Sequence, residues 1–441
     1  MSQHRFFGAL CSVRSVVWAG AGVLLASSMA ASAATEVKVW HTLNAHNKKV
    51  FEGLVKDFNK QQKDVNVVLS GFDSQEAIDA ALLMITKPAD QPHLVQLDDQ
   101  RAPDDIAKRS YIQPMYTLLA QHPIKDAKWF LSENNTLLRD TKGRLLAFPY
   151  MVDVPVMFYN INAFKKADIQ PAQPQRSWNG LQDQLVDLAN KGSRRCPLTS
   201  DQPVSINLEN LAAVNNQPYT MGAAGGGKAK KTVAFHFDTM YVRHLSLMIS
   251  WVRTELMVKP QADAQATTRF ANNECGVLLS DSGNLGWFKD KRGLDFAISG
   301  LPYYPEVTKT PGAPFAGGSA LWAIKGHSKA DDSASATLLA WLAAPERAAT
   351  WYQNTGFLPL TQQAFAATGD GYYQDLGQWR QLVAVYSDKP SAAGQGFRVN
   401  NYPKIKTMFQ NTLDRALSGQ EPAVTALKFA STEAGKIMQE R

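Results

Sequence analysis

The feature that most constrains the fold is the stretch Pro314–Leu360, PFAGGSALWAIKGHSKADDSASATLLAWLAAPERAATWYQNTGFLPL. Its residue pattern predicts, in order, a glycine-hinged strand (Gly317 and Gly318, then Ser319 to Ile324), a polar turn and an apolar helix carrying Leu338, Leu339, Trp341 and Leu342. A proline break, a second helix and a Gly-Phe-Leu-Pro turn follow. A chain that enters a lobe, packs one helical hairpin there and leaves again is what a two-lobed clamp requires.

At 441 residues the chain exceeds one ordinary core, and two or three domains are expected. Hydrophobic residues at 45% with 19% charged describe a chain able to pack a core. The net charge of +7 includes Arg5 and Arg14 at the N-terminus. The densest basic run, Lys228 to Lys231, is short and glycine-flanked, so nucleic-acid binding is not expected.

The N-terminus has the layout of a secretion signal: cations at Arg5 and Arg14, an apolar run Val16–Ala26, then Ala31-Ser32-Ala33. Cleavage after Ala33 is expected, making residues 1–33 a signal peptide and the mature protein periplasmic. Cys11 precedes the apolar run, which argues against lipoprotein attachment. Export places Cys196 and Cys275 where a disulfide can persist, and two buried thiols are the alternative. Neither has a histidine at metal-ligand spacing, so no metal is expected.

From Thr35 onward, strand and helix patterns alternate. Val37–Trp40, Val65–Leu69 and Leu94–Leu97 read as strands, with an amphipathic helix (Val50, Phe51, Leu54, Val55, Phe58) after the first. Asp73 and Glu76 frame the start of the next helix. This alternation predicts an α/β fold with mostly parallel sheets flanked by helices. Asp98 and Asp99 follow the third strand, where open α/β sheets present ligand-binding groups; helix capping is the structural alternative. The run 145–160 is extended and interrupted by Pro149 and Pro155, which suits an edge or a crossover. Ser177 caps a helix running to Lys191, and Cys275–Leu279 is a buried strand opening on Ser280-Asp281-Ser282-Gly283 and a helix.

The segment Gly222–Ala229 has the glycines and lysine of a phosphate-binding loop, but Ala229 stands where a hydroxyl must reach magnesium and no strand precedes it; it reads as a surface loop. No H-E-x-x-H or G-x-S-x-G motif occurs. An enzyme would have to rest on a glycosidase-like carboxylate pair, and a binding protein is the stronger expectation.

The ordered motifs Gly317-Gly-x-x-Leu-Trp-x-Ile324, Pro345-Glu-x-Ala-x-x-Trp351 and Thr355-Gly-Phe-Leu-Pro359, with Val37–His41, Phe58-Asn59 and Phe164–Lys166, resemble the extracellular solute-binding proteins of carbohydrate-type ABC importers, in particular their glycerol-phosphate-binding branch. The resemblance covers most of the mature chain. It implies a two-lobed periplasmic binding protein with residues 34–151 and 320–358 in one lobe and 152–316 and 359–441 in the other. The hinge crossings would fall near Met151, Gly318 and Phe357. It also implies a monomer that captures glycerol 3-phosphate, or a related polyol phosphate or diester, and delivers it to permease subunits at the membrane surface without a cofactor; an uncharged sugar or oligosaccharide is the alternative. Ligand contacts carried over by resemblance are Gln75, Asp99, Asp153, Gln202, Ser205, Asp281, Ser282, Gly318, Phe357, Arg398 and Lys406. The sequence departs from that branch at several positions: Gln75 and Phe357 stand for tyrosines, Asp153 and Asp281 for serines, Lys406 for a phosphate-pairing arginine, and Gln202 and Ser205 for the stacking tryptophans, leaving Phe357, Tyr150 or Trp287 to cover an apolar ligand face. The bland alternative for Asp153 is an ion pair with Arg398 or Lys406. When the chain is exported by a bacterial host, mass spectrometry of the mature protein is expected to find Ala34 as its first residue.

Overall fold

A computed structural model describes residues 34–87, 90–98, 103–191, 195–222 and 233–440. The N-terminal segment, Asp99, Gly192 and most of the glycine-rich loop Gly222–Ala229 therefore lie outside the described residues.

Two sheets carry the architecture. The first contains β1 (Thr35–His41), β2 (Val65–Gly71), β3 (Leu94–Leu97), β4 (Ile112–Gln113), β5 (Phe148–Asp153) and the strand Gly317–Ile324. The second contains β6 (Pro155–Asn160), β7 (Cys196–Ser200), β10 (Cys275–Asp281) and β11 (Phe296–Ser299). A two-residue hairpin, β8 (Thr220–Met221) with β9 (Ala234–Phe235), stands apart from both, and Gly317–Ile324 is β12.

Both sheets are flanked by helices, and both are mixed rather than mostly parallel. β1 runs parallel to β2 and β3, and β10 parallel to β7, each reached through a helical crossover. β12 runs antiparallel to β3, β4 and β5, and β6 antiparallel to β10 and β11. The physical reason lies in the crossings. β5 ends at Asp153 and β6 begins at Pro155, so one extended run serves both sheets through the single residue Val154. The chain then comes back through β12 against β5. That return follows all of the intervening chain, residues 154–316, and re-enters the first sheet beside the point where β5 left it, Gly317 opposite Asp153, so it runs the opposite way. Pro155, which has no N–H to give a ladder, is tolerated as the first residue of its strand.

Side-chain alternation along β12 feeds two cores. Leu321 and Ala323 pack with Val37, Val39, Phe51, Leu54 and Phe58 and with Leu338, Leu339 and Trp351 of the hairpin Lys329–Leu342 and Pro345–Thr355. Trp322 and Ala320 face the other way, into a core that continues through Val152, Val154, Val156 and Phe158 to Leu278 and Ile298 of the second sheet. A third core covers the remaining face of that sheet, where Leu181, Leu185 and Leu188 of the helix Trp178–Asn190 meet Leu198, Val277 and Leu279. Ser177 caps this helix by accepting from the Gly180 N–H. At the helix Gln75–Met84 the cap is Ser74, between the two acids that frame the start in sequence.

Cys196 and Cys275 form a disulfide between the first residues of the parallel neighbours β7 and β10, with Cα atoms 4.6 Å apart. It closes a loop of 79 residues, and such a loop restricts the unfolded chain strongly. Replacing both cysteines with serine should lower stability by about 2–4 kcal/mol in urea unfolding. Dithiothreitol should destabilise the parent protein and leave the double variant unchanged.

Candidate functional site

A cleft of about 310 Å³ opens at the crossings between the two sheets. Its walls come from the C-terminal ends of strands and the turns after them, where open α/β folds present ligand groups. Thr42, Leu43, Asn44 and Asn47 follow β1; Gln96 and Asp98 end β3; Asp153 ends β5; Asp281, Gly283 and Asn284 end β10; Gly317, Gly318 and Ser319 begin β12. Gln202, Ser205 and Glu209 follow β7, Phe357 follows the helix Pro345–Thr355, and Lys406 comes from the helix Tyr402–Leu417.

Asp153 is the centre of this surface. It is buried, and its Oδ1 has no hydrogen-bond partner. Space for the carboxylate is made by Gly318, where a Cβ would stand 2.8 Å from Oδ1, and by Gly283, where one would stand 3.1 Å from Oδ2. Gly318 also has φ +82°, a conformation that favours glycine, and a Cβ there would meet the Met151 carbonyl at 2.5 Å. Burial, then the carboxylates of Asp281, Asp98 and Asp201, push the Asp153 pKa well above the ordinary value, and Lys406 pulls it down. No ion pair joins Asp153 to Arg398 or Lys406 among the described residues; Arg398 pairs instead with Asp104.

Asp201 sits just behind the lining and accepts from Ser280 Oγ at 3.0 Å, while its Oδ1 is buried and unpartnered. Burial and the neighbouring Asp281 push its pKa up to about 8, against a smaller opposing effect of the Ser280 hydroxyl. Glu209 accepts from Tyr402 Oη at 2.6 Å, and Ser205 is tied to Asn210 Nδ2 at 2.9 Å. Ser205–Glu209 forms a widened π-helical turn, a distortion often found at functional sites.

Two aromatic residues, Phe315 and Phe357, line the cleft, and Phe357 is backed by a stack. Phe357 lies 5.5 Å from Trp351, which stacks on Tyr150 at 4.6 Å and donates from its indole nitrogen to the Tyr150 carbonyl. Tyr150 is thus support beneath the cleft wall. Trp287 lies outside the lining, with Lys291 over its ring.

Of the residues singled out in the sequence, the cleft brings together Asp153, Gln202, Ser205, Asp281, Gly318, Phe357 and Lys406. Three lie elsewhere. Gln75 accepts from the Asp98 N–H at 2.9 Å and so shapes the turn after β3. Ser282 is buried, donating to the Gly356 carbonyl at 2.7 Å and accepting from the Val154 N–H. Arg398 donates to Asp104 and to the carbonyls of Thr136 and Arg139. The residues after β1, together with Gln96, Ser319 and Asn284, were missed; the one available signal was their position at strand ends.

A possible metal cluster lies away from the cleft, where ligand atoms of His93, His327 and Asp331 come within 4.8 Å of one another. Its hydrogen bonds argue against metal binding. His93 Nδ1 accepts from the Lys38 N–H, which leaves the proton on Nε2, the atom a metal would need. Asp331 is engaged in the capping box of the helix Lys329–Leu342.

The described residues thus place an acid-rich, largely polar cleft at the junction of two helix-flanked sheets. Residues 53–377 match the model of the bacterial extracellular solute-binding proteins, and the chain belongs to that family. Among its relatives are the sn-glycerol-3-phosphate-binding periplasmic proteins UgpB of Pectobacterium atrosepticum, 28% identical with 93% of each chain covered, and of Shigella dysenteriae, 26% identical over 93% of this chain and 94% of that one. Similar solved structures include maltose-bound MalE3 of T. maritima (TM-score 0.72, 16% identity, 92% of this chain and 100% of that one). UgpB of Mycobacterium tuberculosis in complex with glycerophosphocholine is another (TM-score 0.70, 16% identity, 92% and 98%).

The raised pKa of Asp201 has a thermodynamic sign. A folded-state pKa near 8 against an unfolded value near 3.8 means the folded chain holds a proton that the unfolded chain has lost, so this residue costs stability progressively as pH rises from about 4 to 8. Asp201→Asn should leave stability at pH 4 nearly unchanged and raise it at pH 8 by about 1–3 kcal/mol in denaturant titrations.

Proposed function

We propose that this protein is the exported solute-capturing component of an ABC importer, and that its solute is uncharged and hydroxyl-rich, of saccharide or polyol type. The observation that carries this reading is the acidity of the cleft: among the described residues Asp98, Asp153, Asp281 and Glu209 line it with one cation, Lys406. A phosphate dianion placed among those acids would be repelled by each one that is ionised, and one that keeps its proton, as Asp153 tends to, offers a single donor in place of a counter-charge. Lys406 meets a phosphate as a point charge and lacks the paired donors of an arginine. Carboxylates instead accept hydrogen bonds from adjacent sugar hydroxyls, and Phe357 offers an aromatic face to the apolar side of a ring. An adjoining chamber of about 350 Å³ shares Gln202, Ser205, Asn284 and Lys406 with the cleft, which gives room for a second ring.

In this reading residues 34–151 and 320–358 close against residues 152–316 and 359–441 by bending at the crossings, and the permease recognises the closed form. Residues 1–33 direct export and are removed. The solute is released unchanged, without catalysis. Lys406 supports a second reading, a zwitterionic phosphodiester whose single negative charge meets the lysine while its cationic head meets the aspartates. The names of the UgpB relatives and the glycerophosphocholine complex are in keeping with that alternative.

Calorimetric titration with maltose, sucrose, trehalose, glycerol 3-phosphate and glycerophosphocholine separates these readings. At least one neutral saccharide is expected to bind with a Kd of about 1–10 µM, and glycerol 3-phosphate at least about 100-fold more weakly. Asp153→Ser with Asp281→Ser should weaken the saccharide by about 100-fold and strengthen glycerol 3-phosphate. Micromolar binding of glycerol 3-phosphate that is unaffected by these substitutions would refute the proposal.

A further inference from the structure

A second cavity, of about 360 Å³, lies on the other side of the crossing strand. Val154, Pro155 and Val156 form one wall, and Pro314, Leu382 and Val385 contribute most of the rest of its apolar surface. Pro155 lines both this cavity and the cleft, so a single residue's thickness separates them.

Into this apolar surface projects Arg176. Its backbone is fixed by the Tyr303 N–H, which donates to the Arg176 carbonyl at 2.8 Å. Its guanidinium lies against Gly300, where a Cβ would stand 2.3 Å from Nη2. Among the described residues its one hydrogen-bond acceptor is the Leu301 carbonyl, at 3.4 Å from Nη2; its Nε is buried with no partner, and its Cζ lies 6.0 Å from the Tyr303 ring centre. No described carboxylate pairs with it. A half-buried guanidinium without a counter-charge is costly, and such groups ordinarily have an anion beside them. Gln378 adds a second donor. Its Oε1 accepts from Ser299 Oγ and the Gly300 N–H, each at 3.3 Å, which leaves the side-chain amide nitrogen to donate into the cavity.

The geometry points to an accessory binding site for a small amphipathic carboxylate, its head group on Arg176 and Gln378 and its hydrocarbon on Val154, Val156, Leu382 and Val385. An arginine with a neighbouring amide donor suits the planar, two-oxygen acceptor of a carboxylate. The walls supply the apolar contact that a bare inorganic anion could not use.

Octanoate is the probe. Calorimetry on the disulfide-bonded protein should find one saturable site, with affinity falling at least about 10-fold in Arg176→Gln and with no such dependence on Arg176 for octanol. Val385→Trp keeps the guanidinium and fills the cavity from its exposed rim; it too should abolish octanoate binding, and it decides the matter if Arg176→Gln does not fold. Absence of saturable octanoate binding to the parent protein overturns the proposal. So does octanoate affinity that either substitution leaves unchanged, or octanol binding as tightly as octanoate.

Discussion

The Ser282 hydroxyl holds together the three chain segments on which the site depends. It donates to the Gly356 carbonyl and accepts from the Val154 N–H, while its own backbone N–H donates to the Val154 carbonyl at 2.8 Å. Leu358 completes the knot by donating to the Val152 carbonyl. Gly356, at φ +89°, has to be glycine here, because a Cβ would stand 2.2 Å from the Ser282 carbonyl. The end of β10, the strand crossing and the turn after the helix Pro345–Thr355 therefore meet at one buried hydroxyl. Asp153, Asp281 and Phe357 are each next in sequence to a member of that knot, and their approach to one another follows from it.

This crowding explains the electrostatics. Strand ends that converge bring their terminal side chains together whatever their charge, and here Asp98, Asp153, Asp201 and Asp281 come together. Burial, and after it the repulsion that the backbone knot keeps from spreading these groups apart, makes Asp153 and Asp201 hold their protons more tightly. A carboxyl group that keeps its proton can donate as well as accept, which widens the range of hydroxyl arrangements the cleft can meet.

Most elements were legible in the sequence because their signals are local. The period-2 runs at Val37–Trp40 and Val65–Leu69, the capping Ser177 and the apolar stripe of Leu181, Leu185 and Leu188 all lie within a few residues of the structure they encode. The mixed pairing was not legible, since β12 meets β3, β4 and β5 from more than 150 positions away and no local pattern fixes direction. The site shows the same divide. Asp281 and Gly318 stand at strand ends that the patterns marked, and Asp153 lies within the extended run 145–160, all three singled out by resemblance, whereas Arg398 is drawn off by Asp104 and the carbonyls of Thr136 and Arg139, partners more than 250 residues away. Ser282 shows how neighbouring residues part ways at a tight turn: Asp281 faces the cleft, and the next side chain turns inward to the knot.

The disulfide has a consequence beyond fastening two strands. Cys196 lies five residues before Asp201 and Cys275 six before Asp281, and β7 and β10 run side by side in the same direction. A crosslink at one end of a parallel pair forbids slippage along its whole length, so the offset between the two acids about 17 Å downstream is set covalently. The relative placement of Asp201 and Asp281 thus rests on a covalent tie as well as on the backbone ladder between their strands.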